Sequence, residues 1–238
     1  MSQSAPFDLA EVDRLLTTTK SVRRRLDLHR PVGRDVILEC IQLAAYAPNA
    51  SNAQDWHWIV IDQPDLRRKV AELYRDCVVP SVSKMLRAKS ERADEPGSRV
   101  SRSVLYLAEH LADVPVIVIP CYDVGAAAKR YEDLLGGGPR EANMEPAMFA
   151  SILPSVWSFQ LALRSRGLGS TLTTAHQFEQ PAMAEILNLP KDWFQVALLP
   201  VAYTVGTDFV PSPRDPVERT VVWNPGAAPS HNPEAAVS

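Results

Sequence analysis

Apolar residues fall at helical spacing from the first turns of the chain. Leu9, Val12, Leu15 and Leu16 follow Asp8, and Glu11 stands three residues beyond it, so an N-cap, a capping-box acid and one apolar face coincide. A second helix is predicted from about Asp35 to Tyr46, apolar on most sides and therefore buried. Pro48 ends it, because proline disfavours helical backbone in the residue before. Trp56 to Ile61 (WHWIVI) is aromatic and β-branched, the pattern of a buried strand. Leu66, Val70, Leu73 and Tyr74 then mark a helix at i, i+4, i+7 and i+8. Residues 80–103 are highly charged and predict a weakly specified, exposed stretch.

A helix from about Val104 to Leu111 leads into VPVIVIPCY, a second buried strand between Pro115 and Pro120. GGGPREANMEP, headed by Gly136 to Gly138, reads as loop. Phe149 to Arg166 is the longest apolar helix, with Ile152, Leu153, Val156, Trp157, Leu161 and Leu163 around much of its circumference. Pro154 is placed in its first turns and Gly167 at its end. A strand-like run near Gly169 to Thr174, a short helix to Leu189 and a strand from about Val196 to Thr204 follow. Helices and strands intermix without a composition break or a repeat, so residues 1–223 read as one α+β domain. Residues 224–238, rich in Pro and Ala, read as a disordered tail. A helix apolar on nearly all sides needs cover on all sides, from its own chain or from a partner subunit.

Composition narrows the function. The 238 residues are 46% apolar and 22% charged, with a net charge of −3, which argues against a strongly basic nucleic-acid binder. Cys40, Cys77 and Cys121 are too few and too scattered for a disulfide framework and fit a reducing, cytoplasmic home. No signal sequence is visible, and no apolar run is read as long enough for a membrane span. There is no G-x-G-x-x-G, no G-x-x-x-x-G-K-[ST] and no G-x-S-x-G, and the five His show no metal-ligand spacing. No metal site and no catalytic side chain are expected. If a phosphorylated cofactor is handled, side-chain cations must hold its phosphate.

Three segments carry candidate chemistry. Lys20-Ser21-Val22-Arg23-Arg24-Arg25-Leu26 offers Arg forks suited to phosphate oxygens, and serves equally as a solvated basic face. Ala47-Pro48-Asn49-Ala50-Ser51-Asn52-Ala53-Gln54-Asp55-Trp56 offers amide donors and acceptors that suit the edge of a flat heterocycle, or a polar turn between helix and strand. Arg166-Gly167-Leu168-Gly169-Ser170-Thr171-Leu172-Thr173-Thr174-Ala175-His176 closes the long helix and enters an extended run whose small residues allow close approach of a ring.

Taken in order, S-V-R, then A-P-x-x-x-N-x-Q-x-W, then an apolar helix closing in R-G-L-G-S, the chain resembles the nitroreductase family of flavin enzymes. The resemblance continues through VALLPVAYTVG and Pro213-Arg214-Asp215-Pro216, and covers about Thr17 to Trp223 apart from the middle. The family's second motif reads A-P-S-x-x-N-x-Q-P-W; here Asn49 stands for its Ser and Asp55 for its Pro. Thr19 and Lys20 depart from a common R-R-S-x-R.

The resemblance implies a central, mostly antiparallel sheet surrounded by helices, in an intertwined homodimer with two FMN sites at the interface. It implies phosphate contacts from Ser21 and Arg23 with Lys20, Arg24 and Arg25, and a late one from Arg214. It places Asn49, Ser51, Asn52 and Gln54 against the flavin ring and ribityl chain, and backbone groups of Leu172, Thr173, Thr174 and Ala175 at the flavin N5 edge. The implied activity passes a hydride from NADH or NADPH through N5 to an electron-poor small molecule, nitroaromatic or quinone-like. Reductive dehalogenation, breakdown of the flavin itself, or flavin or deazaflavin binding without turnover are the alternatives.

Overall fold

The computed structural model describes residues 7–88, 96–135 and 141–224. Helix α1 (Leu9–Thr18) starts where the sequence placed it: the Asp8 carboxylate accepts from the Glu11 amide at 3.2 Å. Helix α2 (Arg34–Ala44) is followed by strand β1 (Trp56–Ile61), helices α3 (Pro64–Ala88) and α4 (Pro96–His110), and strand β2 (Val116–Asp123). Helices α5 (Val124–Leu135) and α6 (Glu141–Ser165), strand β3 (Leu168–Ser170), helix α7 (Gln180–Leu187) and strands β4 (Trp193–Gln195) and β5 (Leu199–Tyr203) complete the order.

The strands lie β1-β2-β5-β3, with β4 also on β2, and every ladder among the described residues is antiparallel. Strand β2 is central, and its side chains alternate between two cores. Ile117, Ile119 and Cys121 face Val70, Tyr74, Leu107 and Met183 from α3, α4 and α7. Val116, Val118 and Tyr122 face Ile37, Ile152, Val156 and Phe159 from α2 and α6. Helices on both faces explain why VIVIPCY is continuously apolar rather than alternating. Pro120, which has no N–H to give, falls between the β5 ladder at 116–118 and the β4 ladder at 121–123.

Several expectations are corrected. The charged residues from 80 are helical through Ala88, and helix resumes at Pro96, because α3 and α4 pack on each other and need only one apolar face each. Helix α6 begins at Glu141, so Pro154 is mid-helix and the second half of the segment read as loop is helical; residues 136–140 lie outside the described residues. Helix α5 and strand β4 were not anticipated. The run from Gly169 keeps strand geometry only to Ser170. Helix α2 is half-buried, with Leu38 64% exposed, and β1 is a part-exposed edge strand. Pro146–Ser165 is, contrary to expectation, long and apolar enough to cross a membrane (20 residues, mean hydropathy 1.3), but here it is the core helix on which the sheet rests. Of the tail, only Asn224 lies among the described residues.

Two glycines shape the site end of the fold. Gly167 takes φ 75° where α6 turns into β3. At Gly169 a Cβ would stand 2.7 Å from Thr204 Cγ2 and 3.1 Å from Val22 Cβ, so only glycine lets the segment bearing Val22 lie on β3.

Candidate functional site

That close approach joins the first and third segments. The Val22 amide donates to the Ser170 carbonyl at 2.8 Å, and Leu26 bridges Thr204. Val22 and Leu26 are buried, which leaves the residues between them to divide among different neighbours. Arg25 is committed: its Nε donates to the Val205 carbonyl at 2.8 Å, and it pairs with Asp208 at 2.5 Å and lies over the Phe209 ring. The pair holds the Asp208 carboxyl below its ordinary range. Arg24 is exposed, 5.6 Å from the Tyr106 ring centroid. Lys20 donates to the Val210 carbonyl at 3.0 Å, and Ser21 is exposed.

Arg23 is different. Its guanidinium is half-buried, it forms no ion pair among the described residues, and burial lowers its pKa, with the nearby Tyr74 hydroxyl opposing that shift. A desolvated guanidinium without an acid is costly and suits an incoming anion. The hydroxyls of Ser170 and Thr171, on β3 and its continuation, are buried without a hydrogen-bond partner among the described residues, and the strand register turns Ser170 toward the α6 side of the sheet. A phosphorylated ligand fits the Arg23 guanidinium.

The extended run is held from behind. Thr173 exchanges both main-chain hydrogen bonds with Leu198 (3.1 and 2.8 Å), and its hydroxyl is 3.0 Å from that of Tyr74. Its main chain is therefore taken, while Leu172 and Thr174 on either side are exposed. Ala175 packs on the α3-side core, and His176 beyond it is fully buried with both ring nitrogens unpartnered among the described residues. Arg214 is exposed and donates to the Pro213 carbonyl at 3.0 Å.

The amide loop sits elsewhere. It enters β1, at the opposite edge of the sheet from β3 and three strand spacings away, about 14 Å. Asn49 is turned inward on the loop, accepting from the Gln54 amide at 3.0 Å, and the Ala50 amide donates to Ser151 Oγ of α6 at 3.0 Å. Ser51, Asn52 and Gln54 are exposed and take φ of 55°, 51° and 55°. One chain therefore brings the first and third segments together and leaves the second apart.

Sequence reasoning missed Tyr74, Ser151 and the group behind the loop. The Asp55 carboxylate accepts from Arg130 of α5 and, at 3.5 Å, from the Tyr122 hydroxyl. Burial lowers the Arg130 pKa, but the bond and charge of Asp55 outweigh it and leave that pKa raised. Asp55 as a departure from Pro was the one signal available; its partner, 75 residues on, carried none. Burial pushes the Cys40 thiol up to about 11 and the Cys121 thiol up to about 12, and raises that of Cys77.

A sequence profile of the Nitroreductase family matches residues 16–203. A CLA biosynthesis enone reductase of Lactiplantibacillus plantarum is 36% identical over 75 residues, 32% of this chain and 33% of that protein. An iodotyrosine deiodinase of Drosophila melanogaster is 24% identical over 182 residues, 76% of this chain and 58% of that protein. The chain thus spans about a third and somewhat under three fifths of these relatives' lengths. The solved structure of an iodotyrosine deiodinase bound to FMN and 3-iodo-L-tyrosine shares the fold, with a TM-score of 0.64 at 18% identity over 90% of this chain and 98% of that one.

Proposed function

The chain belongs to the nitroreductase family, and from that premise we propose that it is an FMN-dependent oxidoreductase, using NADH or NADPH to reduce an electron-poor nitroaromatic or quinone-like molecule. The observation that carries the reading is Arg23, a half-buried guanidinium with no acid partner among the described residues. Arg23 receives the phosphate, with Ser21 and Arg214 assisting and Arg24 in reserve. Lys20 and Arg25 serve more as braces, since both already hold the 205–210 segment. FMN, when bound, supplies the two-electron chemistry between nicotinamide and acceptor. The chain's own part is to orient the ring: main-chain groups of Leu172, Thr174 and Ala175 line one edge, with Thr173 as their support. No side-chain acid or base is assigned.

The loop bearing Asn49, Ser51, Asn52 and Gln54 completes the site from a second copy. Two features support a homodimer: the loop lies at the far edge of the sheet, and Leu38 of α2, Tyr46 (80%) just past its end and Trp157 (42%) of α6 are exposed. Light scattering is expected to give twice the chain mass. Trp157→Glu is expected to yield monomers that bind FMN at least tenfold more weakly, since half the contacts go with the partner. A wild-type monomer with flavin bound would end the dimer reading. The free thiols and the want of a basic surplus favour a cytoplasmic enzyme with no nucleic-acid or membrane partner.

The direct test is the purified protein. It is expected to be yellow, to release FMN rather than FAD or a deazaflavin on denaturation, and to oxidise NAD(P)H in the presence of nitrofurazone or menadione. Colourless protein that fails to take up FMN overturns the proposal; loaded protein without turnover favours a flavin-binding role. A second reading, reductive dehalogenation, draws on the 182-residue match to the Drosophila deiodinase, and iodide release from 3-iodotyrosine tests it.

A further inference from the structure

The amide loop is built in a conformation that its own residues do not favour. Three non-glycine residues within four positions, Ser51, Asn52 and Gln54, adopt left-handed backbone. Such residues persist where the surroundings over-determine them. On the entry side, the Asn49 side chain and Ser151 of α6 hold the amides of Gln54 and Ala50. On the exit side, everything converges on Asp55.

Asp55 is tied at both its main chain and its side chain. Its carbonyl accepts from the Asp123 amide at 2.9 Å, at the corner where β2 becomes α5. Its carboxylate, 10% exposed, receives Arg130 from the second turn of α5 and the Tyr122 hydroxyl from the end of β2. The same corner is braced by the Asp123 side chain, which accepts from the Ala126 amide at 2.8 Å. The loop's exit is thus pinned to a rigid strand–helix junction rather than to solvent.

In the motif this segment resembles, position 55 is proline. A proline there would fix its own φ and push Gln54 toward extended backbone. With Asp at 55, Gln54 takes φ 55°. We propose that Asp55 and Arg130 are positioning residues, an ion pair that holds the amide loop, with Gln54 left-handed, in the shape that receives the flavin ring. The inference rests on the flavin reading for its purpose, though not for its geometry. It also gives α5, which contributes nothing to the three segments, a place in the site.

The test compares Arg130→Met, Arg130→Lys and Asp55→Asn with wild type, each as the purified full chain. Amide hydrogen exchange of residues 49–55 is read in the flavin-free protein, and dissociation constants are read for FMN and for riboflavin. Arg130→Met is expected to speed exchange across 49–55 about tenfold, with Ile59–Ile61 and β2 unchanged, and to weaken FMN and riboflavin equally, by about tenfold. Equal loss marks a defect at the ring end, because only FMN carries the phosphate. Arg130→Lys is expected to recover part of both effects, and Asp55→Asn to resemble Arg130→Met. Unchanged exchange in 49–55, or faster exchange spread through β1 and β2, overturns the proposal: the pair is then idle or merely structural. If wild type binds no flavin, the functional reading fails, and the exchange pattern alone still decides whether Asp55 and Arg130 hold the loop.

Discussion

Replacing Arg23 with Ala is expected to weaken FMN binding by about one to two decades while leaving the flavin-free chain as stable as before. A charge-assisted contact from guanidinium to phosphate is worth about 1.5–3 kcal/mol, which sets that range. Stability is spared because Arg23 makes no ion pair among the described residues, and its partial burial already costs desolvation. Riboflavin provides the control, since it lacks the phosphate and its affinity should change far less. The neighbours rank by what they already hold. Arg25→Ala should loosen the 205–209 segment, where it meets Val205, Asp208 and Phe209, and lower thermal stability more than phosphate affinity. Arg24, lying by Tyr106, is freer to swing in and mask the loss, so Arg23→Ala and the Arg23, Arg24 pair should be titrated together. If all three Arg can become Ala with FMN affinity intact, the basic run is a solvated face and Arg214 becomes the phosphate ligand to test.

Acidification is expected to destabilise the chain through His176 before most carboxylates matter. Its imidazole is fully buried, neither nitrogen has a partner among the described residues, and burial pushes its pKa down to about 4 from an ordinary 6.5. Between those values the unfolded chain binds a proton that the folded chain refuses, so stability rises with pH across the window and is level above it. The shift corresponds to about 3 kcal/mol over the whole window. His176→Leu removes the titration and also two unsatisfied nitrogens, so that variant should be the more stable at pH 7 and increasingly so toward pH 4.5. Urea unfolding of both proteins between pH 7 and 4.5 measures it as a difference. Asp27, Glu39, Asp62 and Asp208, whose pKa values are lowered by hydrogen bonds from their partners, lose their contributions as pH falls in both chains and cancel. Parallel curves for the two proteins would sink the idea.

Much of the scaffold could be read directly, because its information is local. The Asp8 cap, the aromatic and β-branched run of β1, the unbroken apolar run of β2 and the stop at Gly167 each follow from a few adjacent side chains. Other elements could not be read this way. Helix α5 opens on a run of small residues and carries few large apolar ones, β4 is three residues long, and the end of α3 leads into a charged stretch that reads as exposed coil. Each is held by a neighbour that local periodicity does not name: α4 for the end of α3, and β2 for β4.

The site divides along the same line. Residue order placed a basic run, an amide loop and a small-residue run at the right points to resemble a flavin enzyme, since each motif is a short stretch whose chemistry is its own. Which cation remains available was decided by the path of the chain. Arg25 meets Asp208, 183 residues later, while Arg23, two positions before it, is carried into a half-buried place with no acid partner among the described residues. Asp55 likewise meets Arg130 only because β2 runs antiparallel to β1 and delivers α5 to the loop's exit. Periodicity along a chain records which face of an element is apolar; it holds no record of which charges will be desolvated together. That depends on how strands and helices separated by a hundred residues come to lie side by side, and only the tertiary structure determines it.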